Sequence, residues 1–296
     1  MVEQVIENKF LAYYELCKPR VVMLMLMTAA VGMLLAVSSL FPWKVFFAAL
    51  IGIGLSACAG GVINQLIDVR IDKAMERTKK RPLPTGIIST KDAIYFASIL
   101  GITGMVILIL FVNSLTAILT FLTLAGYAFF YTVFLKRTTP QNIVIGGIAG
   151  AMPPLLGWTA ISGHIDYAGL LMVLIIFIWT PPHFWALSIA KYEDYKKIKH
   201  IPMLPVTHGL KFTQLFVLLY TALLTAVSLL PFVIDMSGLI YLIGALVLNA
   251  IFLYWAIKLY RTGDKKVAMK TFYYSIFYLG ALFTIILIDH FIPILT

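Results

Sequence analysis

Three polar segments interrupt this apolar chain of 296 residues, and they hold most of the side chains able to do chemistry. The first contains Asn64, Asp68 and Asp72 at steps of four, followed by Arg77, Lys79, Lys80 and Arg81. On a helix that spacing forms one stripe of hard oxygen ligands, drifting about 40° per step. Such a stripe suits Mg²⁺, which takes one or two carboxylates and completes its shell with water and substrate phosphate. Asn64 and Asp72 stand about 12 Å apart along an unbroken helix, so the spacing implies either two ions or a distorted helix end. The cations that follow can neutralise phosphate oxygens, or they can simply set membrane topology. Carboxylates that begin near membrane depth are costly, which favours function over a bland helix end.

The second segment carries Tyr131, Lys136, Arg137 and Asn142, an aromatic hydroxyl and two cations where an apolar run ends. An interfacial aromatic with flanking positive charges accounts for it equally well. The third runs Thr180-Pro181-Pro182-His183-Phe184-Trp185 and continues to Glu193 and Asp194. Two consecutive prolines inside an apolar run predict a helix break of the kind that lines cavities. His183 beside the break is either a ligand or acid–base group, or a hydrogen-bonding partner for a neighbouring helix. Glu193 and Asp194 form either a second acidic cluster facing Asp68 and Asp72 or two acids in a solvated loop.

The elements that must position these groups are membrane helices. Apolar residues make up 61% of the chain and charged residues 12%, against roughly 45–50% and 25% in a soluble domain. Nine apolar runs, at about 21–41, 43–67, 93–112, 115–135, 142–162, 166–190, 212–234, 238–260 and 271–294, each reach the roughly 20 residues needed to cross a bilayer as a helix. They are continuous and do not alternate, which excludes a barrel. The expectation is an all-α polytopic membrane protein, one domain over 1–296, with nine transmembrane helices embedded in the lipid bilayer. Of the 23 Lys and Arg residues, all but Lys44 fall on one side of that arrangement. The positive-inside rule then puts the N-terminus in the cytoplasm and the C-terminus outside. The net charge of +10 is therefore a topology signal, and nucleic acid is not an expected partner. Cys17 and Cys58 differ in expected depth and are read as free thiols.

The segments Asn64 to Leu83, Tyr131 to Trp158, and Thr180 to Val206 together resemble the UbiA superfamily of membrane prenyltransferases. Asn-xxx-Asp-xxx-Asp marks the superfamily, whereas Pro181-Pro-His-Phe-Trp185 and Lys136-Arg-Thr-Thr-Pro-Gln-Asn142 resemble its haem-farnesylating branch. The resemblance implies a helical bundle around an intramembrane chamber. It implies Mg²⁺-dependent transfer of a farnesyl group from farnesyl diphosphate to a vinyl group of haem B, with addition of water to give haem O. Haem B is then a substrate, and a haem A synthase a candidate partner, on the route to the haem A of terminal oxidases. Carried onto these positions, Asn64, Asp68, Asp72 and Asp194 hold metal, and Arg77, Arg81, Tyr131, Lys136, Arg137 and Asn142 meet diphosphate. His183 and Trp185 meet haem, and Asp68, Asp72 and His183 are the catalytic set.

Two positions depart from the superfamily pattern. Its second acidic motif is Asp-xxx-Asp, but here Ala190 precedes Asp194 by four residues. Its Tyr-xxx-Lys motif is one residue longer here, from Tyr131 to Lys136. Other readings are a prenyltransferase acting on a quinone precursor, a transporter built on broken helices, and a non-catalytic haem-binding assembly subunit. A transporter would place its ionisable groups at the midplane, and a haem carrier has no need of the 64–72 acidic stripe.

Overall fold

The computed structural model describes residues 9–37, 40–76, 78–197 and 202–292. Among them every regular element is helical. An N-terminal arm α1 (Lys9–Leu16) meets α2 (Pro19–Leu35) at a 48° bend. Then come α3 (Trp43–Ala74), the short α4 (Pro82–Thr85), α5 (Thr90–Phe111) and α6 (Ser114–Ala125). The last runs directly into a π-helix, π1 (Gly126–Leu135), and a closing turn, α7 (Lys136–Thr138). The second half holds α8 (Asn142–Ala151), α9 (Pro153–Ser162), α10 (Tyr167–Ala190), α11 (Tyr192–Lys196) and α12 (Leu204–Thr207). It closes with α13 (Leu210–Val227), α14 (Leu230–Val233), α15 (Leu239–Thr262) and α16 (Lys265–Phe291). Eight of the described spans are long and apolar enough to cross a membrane, and the bent α1–α2 pair makes a ninth.

Small residues let these helices approach. Gly52 on α3 and Gly104 on α5 face each other so closely that a methyl group on either would press on the other helix. Gly32 on α2 and Gly157 on α9 do the same against the carbonyls of Pro154 and Ala29. In lipid, where apolar contact gives helices no reason to prefer one another over acyl chains, such close backbone packing is a main source of association. The α10, α13, α15 and α16 side holds the largest apolar core, with Trp179, Phe252, Tyr278 and Leu282 buried in it. Its few polar groups satisfy each other: Tyr278 donates to Asn249 Oδ1 at 2.8 Å, Asn249 donates to Ser228 Oγ at 2.9 Å, and Tyr241 donates to Ser228 O at 2.6 Å.

Two expectations about local structure are corrected. The prolines do not break the sixth apolar run, because α10 continues through Pro181 and Pro182 to Ala190. Thr180 Oγ1 donates to Ile176 O at 2.8 Å in the turn that Pro181 interrupts, and neighbouring helices and hydroxyls of this kind are what make membrane prolines tolerable. The second apolar run does not end at 67 either. The helix α3 runs unbroken for 32 residues to Ala74, carrying Asn64, Asp68 and Asp72 on one continuous helix. Cys17 and Cys58 are free thiols, but not because they differ in depth: the α1–α2 bend brings the two side chains into contact.

Candidate active site

The last three turns of α3 carry the polar stripe into the protein. Asn64, Asp68 and Asp72 are 6%, 3% and 4% exposed, so each carboxylate needs a partner to offset its desolvation. Asp68 Oδ2 accepts from Lys136 Nζ and, at 3.1 Å, from Asn64 Nδ2. Asp72 Oδ2 pairs with Arg81 Nη1 at 2.8 Å, and Thr78 Oγ1 donates to Asp72 O at 3.0 Å. Thr78 is thereby tied to the end of α3, and Arg81, nine residues on from Asp72, lies back against it. With α3 unbroken, the roughly 12 Å between Asn64 and Asp72 stands, and a single ion does not span the stripe.

Lys136 arrives by way of the π-helix. Hydrogen bonds in π1 close from i to i+5, and the Lys136 backbone N–H donates to Tyr131 O. A five-residue step from Tyr131 to Lys136 therefore returns to the same face, which absorbs the extra residue between this tyrosine and its lysine. Thr132 Oγ1 follows the same wide register, donating to Tyr127 O at 2.7 Å, and it accepts from Asn64 Nδ2 at 3.4 Å. Tyr127 and Tyr131 stack with ring centroids 5.6 Å apart, both within electrostatic reach of Asp68.

A further cation enters from the bend between α1 and α2. Lys18 has φ +52°, a left-handed conformation that ordinary residues seldom adopt. Lys18 Nζ donates to Asn64 Oδ1 at 2.6 Å. The bend is docked on α3 by Gln65, whose Nε2 donates to Leu16 O at 2.8 Å. Arg81 and Lys136 thus pair with the two carboxylates, and Lys18 joins the same corner through the Asn64 amide. This surplus of positive charge beside Asn64 prepares the corner for an anion.

Asp68 Oδ1 is buried without a hydrogen-bond partner, and so is Asn142 Nδ2 at the start of α8. An unpaired buried carboxylate oxygen fits a cation and an unpaired amide N–H fits an anion. The residues present therefore suit a divalent ion with a phosphate group.

The other expected residues are placed differently. Asp194 lies half-buried on α11, and no three His, Cys, Asp or Glu side chains among the described residues stand close enough to hold a metal by themselves. Glu193 turns outward to Lys265, 3.5 Å away. His183 is held between α10 and α16: Nδ1 shares a 2.6 Å hydrogen bond with Ser275 Oγ, and its ring stacks on Trp179 at 4.3 Å and Phe272 at 4.6 Å. This is the helix-bridging arrangement that the sequence left open for it. Trp185 is fully enclosed and packs edge-on against Phe216 and Tyr220 of α13. Arg77 lies outside the described residues, as does the side chain of Arg137. The sequence reading missed Lys18, Tyr127 and Thr132. Only Lys18 had a signal, a cation next to a proline at the start of a span, and it is the same signal that topology alone produces.

The family model described as the UbiA prenyltransferase family matches residues 25–282. The chain belongs to the UbiA prenyltransferase family. Within it the chain is 59% identical over 279 residues to the protoheme IX farnesyltransferase of Legionella pneumophila (strain Paris), covering 94% of this chain and 95% of that protein. It is 58% identical to the protein of the same name from Thioalkalivibrio sulfidiphilus (strain HL-EbGR7), covering 95% of this chain and 92% of that one. A solved structure of digeranylgeranylglyceryl phosphate synthase shares the fold with a TM-score of 0.78 at 22% identity, covering 95% of this chain and 98% of that one. A UbiA homolog from Archaeoglobus fulgidus bound to GPP and Mg²⁺ does so with a TM-score of 0.64 at 15% identity, covering 93% and 99%. For this UbiA chain, the corner formed by α3, π1 and the α1–α2 bend is the candidate active site.

Proposed function

We propose that this prenyltransferase moves a farnesyl group from farnesyl diphosphate to a vinyl group of haem B, with addition of water, giving haem O and diphosphate. The near-full-length identity of 59% to a protein named protoheme IX farnesyltransferase carries the choice of substrates. The buried corner around Asp68 supports the chemistry.

In this reading the diphosphate lies against Lys18, Arg81, Lys136 and Asn142, with Arg77 and Arg137 completing the cationic set. Asn64, Asp68 and Asp72 on α3, with Asp194 from α11, would hold more than one Mg²⁺, and the ions when bound supply Lewis-acid neutralisation of the leaving diphosphate. The allylic C–O bond breaks heterolytically, so negative charge grows on the diphosphate oxygens. Lys136 and Arg81, partnered in the unliganded corner by carboxylates, stand ready to meet that charge. Tyr127 and Tyr131 line the corner with stacked rings that exclude water from the allylic cation. The vinyl carbon forms the new C–C bond, water adds to the carbon next to the porphyrin, and a proton leaves. No serine or cysteine nucleophile is needed.

Twenty-two of the 23 Lys and Arg residues fall on the face that carries this corner, so the site opens toward the cytoplasm with the N-terminus on that side. Purified protein in vesicles, given haem B, farnesyl diphosphate and Mg²⁺, should yield haem carrying one added farnesyl and one hydroxyl by mass spectrometry. Prenylation of an aromatic acid with haem untouched would favour the quinone-precursor reading instead.

A further inference from the structure

The turn between α15 and α16 carries charge that the Asp68 corner does not use. From Tyr254 to Phe277 the chain has five Lys and Arg residues and one carboxylate, Asp264. Asp264 caps α16, accepting from Lys266 N at 2.8 Å, and Lys265 faces Glu193. Lys258 and Lys270 pair with no carboxylate among the described residues. They come instead to one indole. Lys258 Nζ lies 5.4 Å from the Trp255 ring centroid, and Lys270 Nζ, arriving from α16, lies 5.7 Å from it. Lys258 Nζ also donates to Tyr254 Oη at 3.2 Å.

Trp255 is a fixed platform, half-buried and packed on the cluster that includes Val217, Ala256 and Leu259. Cation–π attraction is modest at such exposed range and does not cancel the repulsion between two ammoniums sharing a ring. An anion between them does. Lys258 falls near the end of one apolar run and Lys270 just before the next, so both stand at the membrane interface, the depth at which tryptophan and tyrosine collect. Below each lysine runs an exposed apolar stripe. Steps of four, three and four place Tyr254, Ile251 and Val247 under Lys258, and steps of three and four place Tyr273 and Phe277 under Lys270. All five are exposed. A small anion would need only the ammoniums, whereas stripes on both helices match an anionic head with two apolar chains.

We propose that Trp255, Lys258 and Lys270 form a binding site for an anionic phospholipid of the cytoplasmic leaflet. Its phosphate sits between the two ammoniums and its acyl chains follow the α15 and α16 stripes. Basic residues at this depth attract anionic headgroups, and here two of them converge on one rigid ring. None of these residues belongs to the Asp68 corner, so the site stands or falls independently of the reaction proposed above.

Two experiments on the full-length protein test it. In the first, protein is taken from vesicles of mixed phosphatidylcholine and phosphatidylglycerol, and the lipid it retains is read by native mass spectrometry. Wild-type protein should retain phosphatidylglycerol in preference. Lys258→Gln with Lys270→Gln should lower that preference about tenfold or more, while Lys258→Arg with Lys270→Arg keeps it. Lys91→Gln, an exposed base on α5, should leave it unchanged. No preference in wild type, an unaltered preference in the glutamine pair, loss in the arginine pair, or an equal loss in Lys91→Gln overturns the proposal. The second needs no variant. Phosphatidylglycerol with a photoreactive group beside its headgroup should crosslink to wild-type protein within 254–273, and unlabelled phosphatidylglycerol should compete the signal away. Crosslinks spread evenly over the exposed basic segments overturn the site. Competition by phosphatidylcholine, inorganic phosphate or farnesyl diphosphate as effective as that by phosphatidylglycerol overturns it too, marking a general lipid surface or a small-anion or donor site.

Discussion

The ends of α3 and α10 occupy comparable places in the two halves of the bundle, yet they are built differently. The end of α3 runs on as helix past its last acid, keeps Asp68 and Asp72 buried, and meets Lys136 from the start of α7 and Arg81 from just before α4. The end of α10 stops at Ala190, where the superfamily pattern has an acid, and the chain restarts as α11 with Asp194 half-buried and Glu193 facing Lys265. One region has its charges neutralised inside the protein before any ligand arrives. The other leaves Asp194 half-buried on a separate short helix. Both the binding of the anion and the timing of bond breaking are therefore expected to depend chiefly on α3.

Substitution should expose that asymmetry. Asp68→Asn should reduce turnover by two or more orders of magnitude with the protein still inserted, a loss of about 2.7 kcal/mol or more of transition-state stabilisation. Steady-state rates across a Mg²⁺ series would show it, and near wild-type rates at limiting Mg²⁺ would erase the distinction between the two helix ends. His183→Ala acts on the other side of α10. Removing its hydrogen bond to Ser275 and its place between Trp179 and Phe272 should cost about 2–3 kcal/mol of stability. Thermal unfolding in detergent checks this, and haem and farnesyl diphosphate affinities should change together. Loss of haem binding alone would return His183 to the acceptor site.

Asp194→Asn should be milder than Asp68→Asn, about tenfold in kcat/KM, because Asp194 is half-buried whereas Asp68 is enclosed and paired with Lys136. An effect as large as that of Asp68→Asn would make the two regions equivalent. The smallest change belongs to Lys265→Ala. Its ion pair with Glu193 is between side chains that are 55% and 64% exposed, and such pairs are worth roughly 0–1 kcal/mol. Activity should be unchanged, and a measurable drop in kcat would show that α11 must be pinned to α16 for the site to work.

Much of this architecture was legible in the residues. Long continuous apolar runs can only be membrane helices, and their limits agree with the observed spans to within a few residues, except where α3 and α16 extend into polar sequence and where the first run, expected over 21–41, ends at Leu35 and is preceded by the arm α1. Four-residue spacing put Asn64, Asp68 and Asp72 on one stripe because α3 is regular. What stayed hidden depends on tertiary packing. A π-helix has no residue signature in Gly126–Leu135, so the shared face of Tyr131 and Lys136 could not be read from a pattern that counts in fours. Lys18 becomes a site residue only because the α1–α2 bend docks on α3 through Gln65. Trp185 and His183 stand two residues apart in the sequence motif, and the helix points them to different neighbours. Pro181 and Pro182 suggested a break that Thr180 and the surrounding bundle make unnecessary.

The central claim is that the Asp68–Lys136 corner neutralises the diphosphate as farnesyl leaves for haem. The most direct test follows diphosphate release and haem product together in vesicles with saturating farnesyl diphosphate and haem B. Wild-type protein should release one diphosphate per farnesylated haem. Lys136→Ala should lower both rates together by at least tenfold, and Lys136→Arg should recover part of the loss. Wild-type rates of diphosphate release and haem product formation in Lys136→Ala would contradict the account.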